Sequence, residues 1–215
     1  MIQECQTVNN YINEDVINCF FAAVMQQFPQ LHIQRTNFHA QIVNFHSWED
    51  YVQKSARRAY GNYDKLLQTL QDRQKVVIMP IGFGREHWAV LVRKFKGGHW
   101  SLWFIDSMSE GAKKRFQTVK RLYNNTPLTD TLPAIQWIEA PIVEQFETEC
   151  GARCCVGALM YALSEKKIRK SVDRLNKVPE LNMVSRLMVA DVCKKGAFTM
   201  PSWLDKVVGI SKCIK

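Results

Sequence analysis

The sequence predicts an α+β fold, and three observations carry that prediction. Apolar residues recur at helical spacing near the start of the chain, at Val16, Phe20, Val24 and Phe28. Three segments rich in β-branched and aromatic residues then follow one another between positions 75 and 106. Beyond them lies a stretch, Cys150–Ser164, that is apolar nearly all round, as a helix buried in the middle of a fold must be. Helices, then a short, mostly antiparallel sheet, then helices again is the α+β order. With 215 residues, no internal repeat and no low-complexity linker, a single domain spanning 1–215 is expected.

Taken in order, Asn13 is a candidate N-cap, with Glu14 and Asp15 in the first turn and Pro29 past the end. HSWED begins a second helix, Ser47 and Asp50 forming a capping-box-like pair, interrupted at Gly61–Asn62 and resuming in YDKLLQTLQ. Strands are expected at Lys75–Ile81, His87–Phe95 and His99–Asp106, with Lys96–Gly97–Gly98 as a hairpin turn between the last two. A helix over Ser109–Tyr123, a strand over Ala134–Ala140, the buried helix, a helix around Glu180–Lys195 and a loose tail complete the order.

Composition excludes several classes. A hydrophobic content of 47% argues against disorder. No segment approaches the roughly 18 apolar residues of a membrane span, and the opening MIQECQTVNNYINEDV is neither a secretory signal nor a transit peptide. A cytoplasmic or nuclear location in a reducing compartment follows, with the seven cysteines as free thiols. The +9 charge is uneven: residues 1–150 hold 16 Lys/Arg against 15 Asp/Glu, residues 151–215 hold 13 against 5. The densest block surrounds Lys166, Lys167, Arg169 and Lys170, which either solvates a helix or contacts nucleic acid.

Three cysteines fall within six residues, at 150, 154 and 155. The C-x3-C-C spacing lacks a zinc knuckle and no His is close in sequence, so no metal is expected. Cys154 and Cys155 lie among Ala152, Val156, Ala158 and Leu159, where a thiol packs as a small hydrophobe. Cys150 instead stands at the predicted helix start, where unpaired N–H groups and the helix dipole favour a thiolate. Gly151 after it allows close backbone approach.

A cysteine nucleophile needs a histidine, and the histidine a group that orients it. His87 begins one strand and Asp106 ends the next. A turn centred on Gly97–Gly98 pairs positions summing to 195, whereas His87 and Asp106 sum to 193; a turn nearer Lys96–Gly97 would place them face to face. Either register leaves the two side chains about 5–8 Å apart at one end of the sheet.

These residues resemble a known family. HWAVLV, WSLWFIDSM, a Gln and ECGARCC occur in the order found in the ubiquitin-like-protein proteases, whose SUMO-specific members share a papain-like fold with adenain, the adenovirus maturation protease. YINEDVINCFF resembles their N-terminal motif. The resemblance implies Cys150 as nucleophile, His87 as general base, Asp106 as its orienting acid and Gln145 as a donor to the oxyanion hole beside the Cys150 backbone N–H. It implies that Trp88 and Tyr11 form a narrow tunnel, with cleavage after Gly-Gly or Gly-X. The sequence departs from the family at three places. The spacing from Gln145 to Cys150 is short, so Gln136 or a backbone amide is an alternative donor. Tyr11 stands where the family has Trp, and Glu144, Glu147 and Glu149 surround the sulfur and oppose its ionisation unless solvated or turned away.

A thiol endopeptidase without cofactor, acting as a monomer on a Gly-containing protein substrate, is therefore expected. Between two roles, the compact chain and basic C-terminal third favour a viral maturation protease, packaged in a virion and associated with nucleic acid. The alternative is a protease that removes SUMO or another ubiquitin-like modifier. An acetyltransferase effector with the same triad is a more distant possibility. A non-enzymatic nucleic-acid binder would leave the His–Asp pair and the Cys-Gly step without purpose.

Overall fold

The computed structural model describes residues 12–33, 71–83, 87–124, 134–140, 147–164 and 168–209. The helix expected from His46 and its resumption at Tyr63 lie outside them.

Asn13 caps the first helix, α1 (Glu14–Gln27), its Oδ1 accepting from the Val16 N–H at 3.0 Å. Strand β1 (Leu31–Ile33) follows, too short to show any periodicity in sequence. Strands β2 (Val76–Phe83), β3 (His87–Lys96), β4 (His99–Ile105) and β5 (Ile135–Ala140) complete a five-stranded sheet in the order β1-β2-β3-β4-β5. The sheet is mixed. Its central pairs are antiparallel, while β1 and β5 add parallel strands at the two edges. Gly97 and Gly98 both take positive φ, 61° and 86°, and so make the tight β3–β4 turn that L side chains resist.

Strand β3 is buried on both faces, which explains why HWAVLV reads as a continuous apolar run. Val90 and Val92 enter one core with the helices α1, α3 (Cys150–Leu163) and α5 (Leu181–Lys195). Ala89 and Leu91 enter the other, covered by α2 (Ala112–Asn124) through Phe116, Val119 and Tyr123 at helical spacing. Helix α3, entered through a 3-10 turn at Glu147–Glu149, is buried at every residue except Ala162. Each large side chain buried there contributes roughly 1.5–3 kcal/mol, so this helix anchors whatever its N-terminus presents.

The C-terminal region departs from expectation. Helix α4 (Ile168–Leu175) lies in the basic block, and α6 (Ser202–Val208) replaces the expected loose tail. Leu204, Val207 and Val208 are buried, so this helix belongs to the main core. Only two turns long, α6 offers too few repeats for its period to stand out in sequence.

Candidate active site

The hairpin register settles the placement of His87. Pairs such as Val90–Ile105 and Lys96–His99 sum to 195, so the face-to-face alternative does not occur. Asp106 follows the last residue of β4 and reaches diagonally to the first residue of β3. His87 Nε2 lies 2.8 Å from Asp106 Oδ1, both side chains almost entirely buried. The diagonal offset is bridged by the length of the imidazole.

Asp106 has more partners than the sequence reading supplied. Oδ1 also accepts from the Met108 N–H at 3.0 Å, and Oδ2 accepts from Arg115 Nε at 2.6 Å. Arg115, in the first turns of α2, donates through Nη2 to the carbonyls of Met108 and Glu110 at 2.7 and 2.9 Å. One guanidinium thereby holds both the carboxylate and the loop after β4. Burial works to raise the Asp106 pKa, but the hydrogen bonds from His87 and Arg115 outweigh it and hold the carboxyl below its ordinary 3.8. Nothing in the sequence singled out Arg115 among the three consecutive cations at the start of its helix.

Cys150 is the first residue of α3 and is buried. Its N-cap, Glu149, makes no side-chain capping bond. The ring of His87 divides its two nitrogens. Nε2 is committed to Asp106, while Nδ1 is buried and has no hydrogen-bond partner among the described residues. The Cys150 thiol interacts with that imidazole: burial would lower the His87 pKa, but Asp106 and then Cys150 hold it above 6.5. The three side chains expected to carry catalysis therefore meet at one end of the sheet, from the start of β3, the loop just after β4 and the start of α3.

Glu149, a concern in sequence, is internally compensated. Arg153, one turn on, donates to Glu149 Oε2 from Nε at 3.1 Å and from Nη2 at 2.8 Å, with both side chains buried. The i,i+4 spacing of this pair is legible in the sequence. Arg186 of α5 fastens the preceding turn, donating from Nη2 to the Thr148 carbonyl at 2.6 Å and to its Oγ1 at 3.1 Å.

Gly151 and Trp88 meet the N-terminal segment. A Cβ at Gly151 would stand 2.6 Å from Ile12 Cβ, so only glycine lets that segment cross the start of α3. Trp88 Nε1 donates to the Ile12 carbonyl at 2.8 Å. Trp88 is thus joined to the residue after Tyr11, and Tyr11 itself lies outside the described residues, as do Gln145, Lys166 and Lys167. Gln136 is exposed and paired with Ser101, most of a strand away from Asp106, which removes it as an oxyanion donor. Lys170 is exposed on α4, which also includes Arg169.

Cys154 donates to the Ala89 carbonyl at 3.5 Å and Cys155 is buried, as packing thiols are. Burial, with the charges of Cys150 and Asp106, pushes the Cys154 thiol well up. All five cysteines among the described residues are free. Among those residues no cluster of His, Cys, Asp and Glu could hold a metal ion, and no helix is long and apolar enough to cross a membrane.

The architecture has solved counterparts. The C-terminal Ulp1 protease domain in complex with Smt3, the yeast ortholog of SUMO, superposes with a TM-score of 0.64, covering 90% of this chain and 82% of that one at 14% identity. The chain has the Ulp1 protease fold. A de-sumoylating protease matches with a TM-score of 0.54 at 12% identity, over 98% of this chain and 88% of the other. The Xanthomonas campestris effector XopD, bound to ubiquitin, matches with a TM-score of 0.51 at 14% identity, over 86% and 90%. No family model and no curated protein matches the sequence. What this chain shares with the Ulp1 fold is therefore carried by backbone architecture rather than by overall sequence.

Proposed function

We propose that this protein is a cysteine peptidase that releases SUMO or another ubiquitin-like modifier by cutting after its C-terminal glycine. The observation that carries the reading is the 2.8 Å contact of His87 Nε2 with Asp106 Oδ1, on an imidazole that also interacts with the Cys150 thiol. That arrangement suits transfer of the Cys150 proton to the imidazole, leaving a thiolate at a helix N-terminus beside an imidazolium held by Asp106.

In the proposed reaction, Cys150 Sγ attacks the carbonyl carbon before the scissile bond. The resulting oxyanion faces the Cys150 N–H and the Gln145 amide that the family resemblance supplies. His87 gives its proton to the departing amine as the C–N bond breaks, leaving a thioester. A water molecule, deprotonated by His87, then hydrolyses the thioester and restores the thiol.

Burial of Cys150 favours a slender substrate, since a side chain beside the scissile carbonyl would have to displace protein. The preference for deconjugation over viral maturation rests on the likenesses, which include complexes with the yeast SUMO ortholog and with ubiquitin. To test it, SUMO and ubiquitin carrying an electrophile at the terminal glycine are offered alongside Gly-X peptides. Covalent capture of either modifier by the wild type and not by Cys150→Ala is expected. Turnover of peptides with no capture of either modifier would favour maturation instead.

A further inference from the structure

A cleft of about 1650 Å³ opens at the end of the sheet opposite Cys150. It lies where β3 and α3 finish: β3 runs from His87 to Lys96, roughly 30 Å of strand, and Leu163 and Ser164 at the end of α3 line its wall. Its charge is one-sided. Arg73 and Lys75 line it from before β2, and Lys94 and Lys96 from the end of β3. Arg174, Lys177 and Lys206 close it from the C-terminal helices, and Asp205 is the one carboxylate in the lining among the described residues.

Helix-end capping accounts for part of this set. Lys75 Nζ donates to the Pro29 carbonyl at 2.7 Å, Lys94 Nζ to the Tyr161 carbonyl at 2.8 Å, and Arg174 Nη1 to the Lys206 carbonyl at 3.2 Å. Carbonyls satisfy N–H groups but carry no net charge, so the excess of cations over carboxylates stands. Arg73 rests on the Phe95 ring, 4.7 Å from its centroid. Lys177 and Lys206 are exposed and make no ion pair among the described residues. Elsewhere Arg115, Arg153 and Lys195 each hold a carboxylate. Burial, and then the neighbouring charge of Lys96, lowers the Lys94 pKa to about 8.

We propose that this cleft binds a compact anion bearing several phosphate groups, at a site separate from the Cys150 centre. Cations from four parts of the chain converge on one concave volume, which suits a small polyanion. An extended nucleic-acid strand calls for a basic stripe along a face instead. The arginine fork and the lysine ammonium groups are the donors that phosphate oxygens take.

The test uses the full chain carrying Cys150→Ser, so that binding is read without reference to peptidase activity. Calorimetry at about 0.15 M salt compares inorganic tripolyphosphate, orthophosphate, a nucleoside triphosphate and a single-stranded oligonucleotide. One tripolyphosphate per chain is expected, at least tenfold tighter than orthophosphate. The triphosphate matches it if phosphate alone is read, and exceeds it if the base is read as well. Lys177→Glu with Lys206→Glu should weaken binding at least tenfold, and Arg73→Ala alone should weaken it severalfold. Lys113→Glu with Lys114→Glu, exposed cations on α2, should leave it unchanged. Equal loss in both double variants, no saturable binding, or an oligonucleotide that binds tighter and is not displaced by tripolyphosphate would overturn the proposal.

Discussion

Arg115 Nε donates to Asp106 Oδ2 at 2.6 Å, the carboxylate oxygen that His87 does not use. Asp106 is thereby held from both sides, and its ability to orient the imidazole depends on a residue of another element.

Asp106→Asn should therefore disturb two contacts at once. An asparagine has one oxygen, so either His87 Nε2 or Arg115 Nε would face an N–H donor. The loss in kcat is therefore expected to exceed tenfold, with KM little altered. Arg115→Gln alone should cost about tenfold, while Asp106→Asn combined with Arg115→Gln should lose less than the two single effects multiplied. A double variant that loses their full product would show that the two residues act independently.

Arg153 is expected to matter through Glu149. Arg153→Met would leave a buried carboxylate unpaired beside Cys150, at a cost of about 3–5 kcal/mol, with slower alkylation of Cys150 by iodoacetamide at neutral pH. Adding Glu149→Gln should recover most of both losses. Thermal melts and alkylation rates check this, and an unrecovered double variant would mean that Arg153 acts on packing alone.

Gly151→Ala should drive Ile12 from its seat, because the added Cβ meets Ile12 Cβ at 2.6 Å. A loss of about 1–3 kcal/mol in stability is expected, accompanied by loss of modifier capture. Shortening Ile12 to alanine in the same chain does not remove that Cβ, so recovery should be partial; Ile12→Gly should recover more. Denaturant melts order the three variants.

Among the cysteines, Cys150→Ala should abolish turnover while the fold persists. Cys154→Ala and Cys155→Ala should lower Tm and leave kcat within severalfold of wild type. An inactive but folded Cys154→Ala protein, judged by circular dichroism, would reverse the assignment.

The pH dependence has a definite sign. His87 has a folded pKa above 6.5, so its protonation stabilises the fold fully below that value, and the contribution is lost as pH rises through the folded pKa. Asp106 runs the other way: its contribution is present above 3.8 and is lost as pH falls through a folded value below that. The stability gap between wild type and His87→Ala should accordingly narrow on the alkaline side. Urea melts from pH 4 to pH 9, a range of roughly two units or more around the ordinary histidine value, would detect it.

Much of the fold was legible because its signals are local. Asn13 announces α1, Gly97–Gly98 announces the hairpin, and the unbroken apolar character of Cys150–Leu163 announces a central helix. Strand β1 and helix α6 escaped because three and seven residues carry too little periodicity. At the site, hairpin arithmetic brought His87 near Asp106 since a tight turn propagates its register. The Glu149–Arg153 pair lay within one helical turn and was equally open to reading. Arg115, Arg186 and Ile12 were not, because each contact crosses between elements far apart in sequence.

The sequence by itself determined which groups of this protein are able to react and which segments become strand or helix, since thiol, imidazole and carboxylate chemistry and backbone preference belong to residues and their near neighbours. Tertiary structure alone decided that the His87 ring meets both Asp106 and Cys150, that Arg115 locks the carboxylate, and that seven cations among the described residues share one cleft. The physical reason is that hydrogen bonds and electrostatic fields act over a few ångströms of space, and only packing sets which distant residues come within that range.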